Sequence, residues 1–99
     1  MQIDLREDGD SALRKLTSDE RVDLLLVDNE LPGLSGLDLV KRTRKMTHRR
    51  RTPIVMLSGN DCETEAWRAG VDAFLKKPAQ IGDLPSTISR LLKVDVRQG

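Results

Sequence analysis

The sequence is poor in cysteine, in aromatic residues and in long apolar runs. Its 99 residues include one cysteine, Cys62, which excludes an internal disulfide and any metal cluster built on paired thiols. Such cysteine usage suits a reducing, cytoplasmic setting. Trp67 and Phe74 are its only aromatics and tyrosine is absent, which argues against a single-stranded nucleic-acid site, where bases stack on several rings. No apolar stretch approaches the roughly 20 residues that span a bilayer. The first residues have neither the basic flank nor the apolar stretch of a secretion signal. Seventeen Lys and Arg against sixteen Asp and Glu leave a net charge of +1, so no global field draws the chain toward nucleic acid or membrane.

What is present fits one soluble globular domain. Hydrophobic residues make up 37% and charged residues 33%, too apolar for a disordered tail. A chain of this length buries roughly two-thirds of the surface it exposes when unfolded. We read residues 1–99 as a single domain, too short for a multidomain enzyme, with residues 93–99 as a polar tail or the start of a linker.

Period and punctuation divide the chain. Residues 2–6 alternate polar and apolar like a short half-buried strand, and turn and N-cap residues follow, so a helix should open near Asp10. Residues 22–27 form a short apolar run ended by Asp28, as expected of a strand buried on both faces of a parallel sheet. The loop Leu31-Pro32-Gly33-Leu34-Ser35-Gly36 precedes a predicted helix over residues 37–46 with a strongly basic end. Residues 53–57 are a further apolar strand, followed by the polar loop Ser58-Gly59-Asn60-Asp61. A short helix over 63–69 stopped by Gly70, a strand over 73–75 and a last helix over 81–92 interrupted early by Pro85 complete the pattern.

Alternating strands and helices call for an α/β fold with a mostly parallel sheet and right-handed crossovers. In such sheets ligands sit beyond the carboxyl ends of the strands. The polar residues there are Asp28, Ser58 and the pair Lys76-Lys77. An acid, a hydroxyl and an amine therefore converge on one edge, although a strand-end ion pair or a loop cap would use the same residues.

Three strings go further. Asp28-Asn29-Glu30-Leu31-Pro32-Gly33-Leu34-Ser35-Gly36, Met56-Leu57-Ser58-Gly59 and Ala69-Gly70-Val71-Asp72-Ala73-Phe74-Leu75-Lys76-Lys77-Pro78 resemble, in order and spacing, the receiver domain of two-component response regulators. The resemblance covers nearly the whole chain. It implies a flavodoxin-like receiver fold, a parallel sheet with flanking helices. It implies that Asp28 accepts a phosphoryl group from a histidine kinase or histidine phosphotransfer protein, that Ser58 contacts the phosphoryl oxygens and that Lys77 is the site lysine. Phe74 takes the position of the switch aromatic, for which the residue pattern alone gives a core aromatic. Lys77 precedes Pro78 where the family uses a cis peptide. Mg²⁺ is the implied cofactor, held by Asp28 and the backbone carbonyl of Glu30, whose side chain is expected toward solvent near the phosphoryl site, where it would tune hydrolysis.

These residue types suit the chemistry. A carboxylate can attack the phosphorus of a phosphohistidine in line, and the acyl phosphate formed concentrates negative charge where a cation and hydrogen-bond donors are needed. The resemblance therefore implies a binding-driven switch and not metabolic catalysis.

The sequence departs from the family at its start. A receiver begins with a hydrophobic strand ending in an acidic pair, then a helix, and we read this chain as truncated of both. Glu7-Asp8-Gly9 fits better as the turn after the family's second strand. The acidic pair normally supplies carboxylate ligands for Mg²⁺, so Asp28 alone makes a poor magnesium site. The central strand of a sheet ordered 2-1-3-4-5 is also missing, leaving backbone groups to be covered. Three remedies are open: the strand over 2–6 moves beside that over 22–27, bringing Glu7 and Asp8 near Asp28; a second chain supplies the cover; or the missing piece was lost in preparing the protein.

Two other classes compete. A pseudo-receiver would keep the fold and the Asp28, Ser58 and Lys77 trio but act as an unphosphorylated interaction or dimerisation module. An aspartyl-phosphate hydrolase also carries an aspartate after an apolar strand, yet such enzymes usually place a second aspartate two residues on, where this chain has Glu30. The basic run from Lys41 to Arg51 could meet a phosphate backbone, but cations at a helix C-terminus also complement its dipole, so nucleic acid is not the expected partner. His48 stands alone as a ligand. Trp67 either anchors an interface, including a homodimer, or fills core volume.

Overall fold

The computed structural model describes residues 3–4, 9–30 and 34–96. Four parallel strands, β1 (Ile3–Asp4), β2 (Leu24–Asp28), β3 (Ile54–Ser58) and β4 (Ala73–Lys76), form one sheet in the order β1-β2-β3-β4. Helices α1 (Gly9–Thr17), α2 (Gly36–Lys45) and α3 (Glu63–Ala69) connect successive strands, and α4 (Leu84–Val96) follows the last. The expected α/β architecture is present.

The strands owe their burial to a two-residue alternation that serves both faces of the sheet. Leu25, Val27, Ile54, Met56 and Phe74 face α1, α2 and α3, packing with Leu16, Leu39, Val40 and Ala66. Leu24, Val55, Ala73 and Leu75 face the other way, where Leu84, Ile88, Leu91 and Leu92 of α4 cover them. Ile54, Val55 and Met56 are fully buried, each contributing roughly 1.5–3 kcal/mol of transfer free energy.

Local chemistry sets the helix ends. Ser35 caps α2, its Oγ accepting from the Asp38 N–H at 3.2 Å. Gly70 closes α3 at φ 117°, its N–H donating to the carbonyls of Ala66 and Trp67, a left-handed turn that favours glycine. Pro85 does not interrupt the last helix. Residues 81–83 form a single 3₁₀ turn, and Pro85 then sits in the first turn of α4, where its missing N–H costs nothing. That helix runs on to Val96 through residues assigned to a polar tail, since no glycine or proline stops it.

The strand order answers the question that the missing strand left open. Instead of 2-1-3-4-5, the sheet follows chain order, because β1 pairs parallel with β2 through Ile3↔Leu24 and Asp4↔Leu25. Of the three remedies, the first holds: β1 covers the edge of β2 that would otherwise present unpaired N–H and C=O groups. Glu7 and Asp8 lie outside the described residues.

Two arginines of the basic segment turn inward, while Lys41, Arg42, Lys45, Arg50 and Arg51 stay exposed. Arg49 is 4% exposed, donating to the carbonyls of Leu16, Ser18 and Glu20. His48 Nε2 lies 3.0 Å from the Leu16 and Ser18 carbonyls, so this nitrogen carries the hydrogen. Arg44 donates to the carbonyls of Gly70, Arg50 and Thr52 at 2.8–3.0 Å and pairs with Asp72 at 2.8 Å. These cations bind loose carbonyl ends into the far edge of the sheet.

Candidate phosphoryl-acceptor site

At the opposite edge β2, β3 and β4 end together. Register pairs Asp28 with Leu57 and Ser58 with Lys76, and Lys77 N–H donates to the Ser58 carbonyl at 2.8 Å, extending the ladder one step. Asp28, Ser58 and Lys77 therefore share one cleft, as expected. Lys77 Nζ meets Asp28 Oδ1 and Oδ2 at 3.0 and 3.1 Å. Both partners are about 30% exposed, at 29% and 31%, so the pair is shielded yet open to an incoming group. The Lys77–Pro78 peptide is cis.

Lys76 does not join. Its ammonium turns outward and pairs with Asp61, and that contact holds the Asp61 carboxyl below its usual range.

Glu30 meets the expectation only in part. Its N–H donates to Asp28 Oδ1 at 3.0 Å, an Asx-type turn that folds the chain back. The side chain stays exposed, yet its carboxylate also bonds into the cleft. Glu30 Oε2 accepts from Ser58 Oγ at 2.8 Å, Oε1 accepts from the Gly59 N–H at 2.6 Å, and Lys77 Nζ lies 3.2 Å from Oε1. Burial pushes this carboxyl up, but the Gly59 and Ser58 hydrogen bonds and the Lys77 charge outweigh it and hold it below the usual carboxylate range. Lys77 is pushed the other way: its hydrogen bond to Asp28 raises it, burial opposes, and Glu30 adds to the rise.

Sequence reasoning placed the Glu30 side chain near the phosphoryl site but without its bonds into the cleft, and it missed the Gly59 amide, whose only signal was adjacency to Ser58.

Chemically, the cleft offers a nucleophilic carboxylate at a strand end, an ammonium on both its oxygens, and a hydroxyl and a backbone amide close by. The match with a family model for the response regulator receiver domain decides the identification, since it covers residues 1–89. The chain belongs to the response regulator receiver family.

Among curated relatives of this receiver domain, the two-component response regulator ORR7 of Oryza sativa subsp. indica is 30% identical over 91 residues, covering 89% of the chain and 44% of the relative. The phosphate regulon transcriptional regulatory protein PhoB of Rhizobium meliloti is 34% identical over 96 residues, covering 93% and 41%. The chain spans less than half the length of either. Among solved structures, the receiver domain of the Pseudomonas aeruginosa PAO1 sensor histidine kinase PA1611 aligns with TM-score 0.79 at 28% identity, covering 93% of this chain and 77% of that one. A putative response regulator from Chloroflexus aurantiacus gives 0.77 at 28%, covering 89% and 74%. The PA1611 structure holds a magnesium ion in its active site cleft.

The donors described for this chain do not fit such an ion. Magnesium demands a near-octahedral oxygen shell, whereas the carboxylates that the described residues bring to the cleft, Asp28 and Glu30, are both engaged by Lys77. No group of three His, Cys, Asp or Glu residues gathers among the described residues.

Phe74 is 8% exposed and packs in the larger core cluster. Trp67 is 48% exposed, its indole N–H donating to Glu63, so it does not fill the core. Together they line a cavity of about 310 Å³ between α3 and α4. Cys62 is buried and free. No helix among the described residues is long and apolar enough to cross a membrane.

Proposed function

We propose that this receiver domain accepts a phosphoryl group on Asp28 from the phosphohistidine of a histidine kinase or histidine phosphotransfer protein in the cytoplasm, and that phosphorylation switches its contacts with partners. The observation that carries the reading is the double contact of Lys77 with both oxygens of Asp28 at 3.0 and 3.1 Å. An ammonium in that position orients the carboxylate and offsets the charge that accumulates when phosphorus is transferred.

In the transfer, an Asp28 oxygen attacks the phosphorus opposite the imidazole nitrogen. The new P–O bond forms as the P–N bond breaks, and the bonding pair leaves with the imidazole. Ser58 Oγ and the Gly59 N–H are the donors nearest the phosphoryl oxygens, and Lys77 balances the acyl phosphate. Buried Phe74, on the strand that leads into Lys77, is the residue through which a shift of this loop would reach the surface between α3 and α4.

The test is intact mass after incubation with a small acyl-phosphate donor, with and without Mg²⁺, beside Asp28→Asn. A gain of one phosphoryl group, absent in the variant, is expected. No gain in a folded protein would overturn the reading in favour of an unphosphorylated interaction module. A gain that depends on Mg²⁺ would place further ligands outside the described residues, with Glu7 and Asp8 the first to substitute.

A further inference from the structure

Three donors of different kinds converge on the Glu30 carboxylate: the Ser58 hydroxyl at 2.8 Å, the Gly59 amide at 2.6 Å and the Lys77 ammonium at 3.2 Å. They come from the end of β3, the loop after it and the turn after β4, so no single local motif produces them. A hydroxyl, an amide and an ammonium aimed at one point form a seat for an oxyanion. Among the described residues, its chain neighbours aside, a Cβ built at Gly59 meets only Oε1 of Glu30, at 3.4 Å.

We propose that Glu30 is an internal occupant of this oxyanion seat, and that a tetrahedral phosphate group binds to Ser58, Gly59 and Lys77 only by displacing it. The inference deepens the function proposed above and takes from it the identity of the displacing group. One ammonium has three hydrogens, and Lys77 already serves two oxygens of Asp28 and one of Glu30. A phosphoryl group entering with Glu30 in place would put three anionic groups around a single cation. Departure is open to the side chain, which is 34% exposed and held by polar contacts. Glu30 therefore acts on phosphorylation as a competitor carried by the chain itself, and it is a positioning residue, since it touches the reacting carboxylate only through Lys77 and its own backbone N–H.

The experiment titrates inorganic phosphate into the full chain and follows the Gly59 amide by NMR, comparing wild type with Glu30→Gln and Glu30→Ala. The near-isosteric Gln variant guards against loss of fold. Glu30→Ala should bind phosphate at least about tenfold more tightly than wild type, a factor worth 1.4 kcal/mol, with Glu30→Gln between them. Adding Ser58→Ala to Glu30→Ala should remove the gain. Unchanged phosphate affinity in both Glu30 variants overturns the inference, and so does a gain that survives loss of Ser58. If the Glu30 variants gain phosphate affinity while Asp28 takes up no phosphoryl group, the seat stands and the phosphorylation reading falls.

Discussion

Replacing Lys77 by methionine keeps the length of the side chain and removes its charge, which isolates the electrostatic role of the lysine. In the native site one ammonium contacts three carboxylate oxygens at 3.0–3.2 Å. Leaving a buried charge unpaired costs about 3–5 kcal/mol, and an exposed pair is worth about 0–1 kcal/mol. With the partners roughly a third exposed, Lys77→Met should cost on the order of 1–2 kcal/mol, or roughly 4–16 °C in Tm for a domain of this size. The pH dependence separates charge from packing. Glu30 sits below its ordinary value of 4.5, so its stabilisation is present above the unfolded pKa and is lost as pH falls through the folded one. Lys77 sits above 10.5, so its contribution is present below that value and is lost as pH rises through the raised pKa. The stability gap between wild type and Lys77→Met should therefore be flat from about pH 6 to 9, narrow below about 4.5 and narrow again above about 10.5. Urea denaturation across that range measures it. A gap of equal size at every pH would refute the electrostatic account and assign the loss to packing of the lysine stem.

Other substitutions probe the frame around the site. Gly36→Ala should destabilise by about 1–3 kcal/mol in urea melts, because its Cβ would lie 2.6 Å from Asn29 Oδ1 and 3.0 Å from Asn29 Cα, where backbone must give. Arg44→Lys should cost about 2 kcal/mol despite keeping the charge, since an ammonium cannot reach the Gly70, Arg50 and Thr52 carbonyls and Asp72 together; wild-type stability in that variant would show that the fork is dispensable. Gly70→Ala should lower Tm by several degrees, about 1 kcal/mol or more, because the position holds φ at 117° and a Cβ would press on Arg44 at 2.9 Å.

Much of this arrangement was legible in the sequence because strands buried on both faces leave short apolar runs, and the residue ending each run stands at the edge of the sheet. Asp28, Ser58 and the pair Lys76-Lys77 were found in that way, and the family resemblance singled out Lys77 of the pair. The bonds of Glu30 into the cleft were not, because they depend on an Asx turn and on donors at Ser58, Gly59 and Lys77, many residues later. The basic run was legible in part: Arg42 and Lys45 sit exposed in the last turn of α2, as a dipole complement would, but the role of Arg44 and Arg49 was not. A cation at the end of α2 serves equally as dipole complement or as donor to distant carbonyls, and only the packing of α1 and the β3 entrance against it shows that Arg44 and Arg49 do the second. The place of β1 was one of several open possibilities, decided by the need to pair the edge of β2.

The position of β1 bears on how the domain comes together. In a sheet ordered 2-1-3-4-5 the third strand must return past the first to find its place on the far side. Here each strand pairs with the one immediately before it in the chain, so the sheet can grow outward from either end without reopening a pair already made. Short-range pairing of this kind closes small loops and favours fast folding. During synthesis β1 and β2 can zip together before β3 exists, and the cleft that holds Asp28 is completed only when Lys77 emerges, last of its parts.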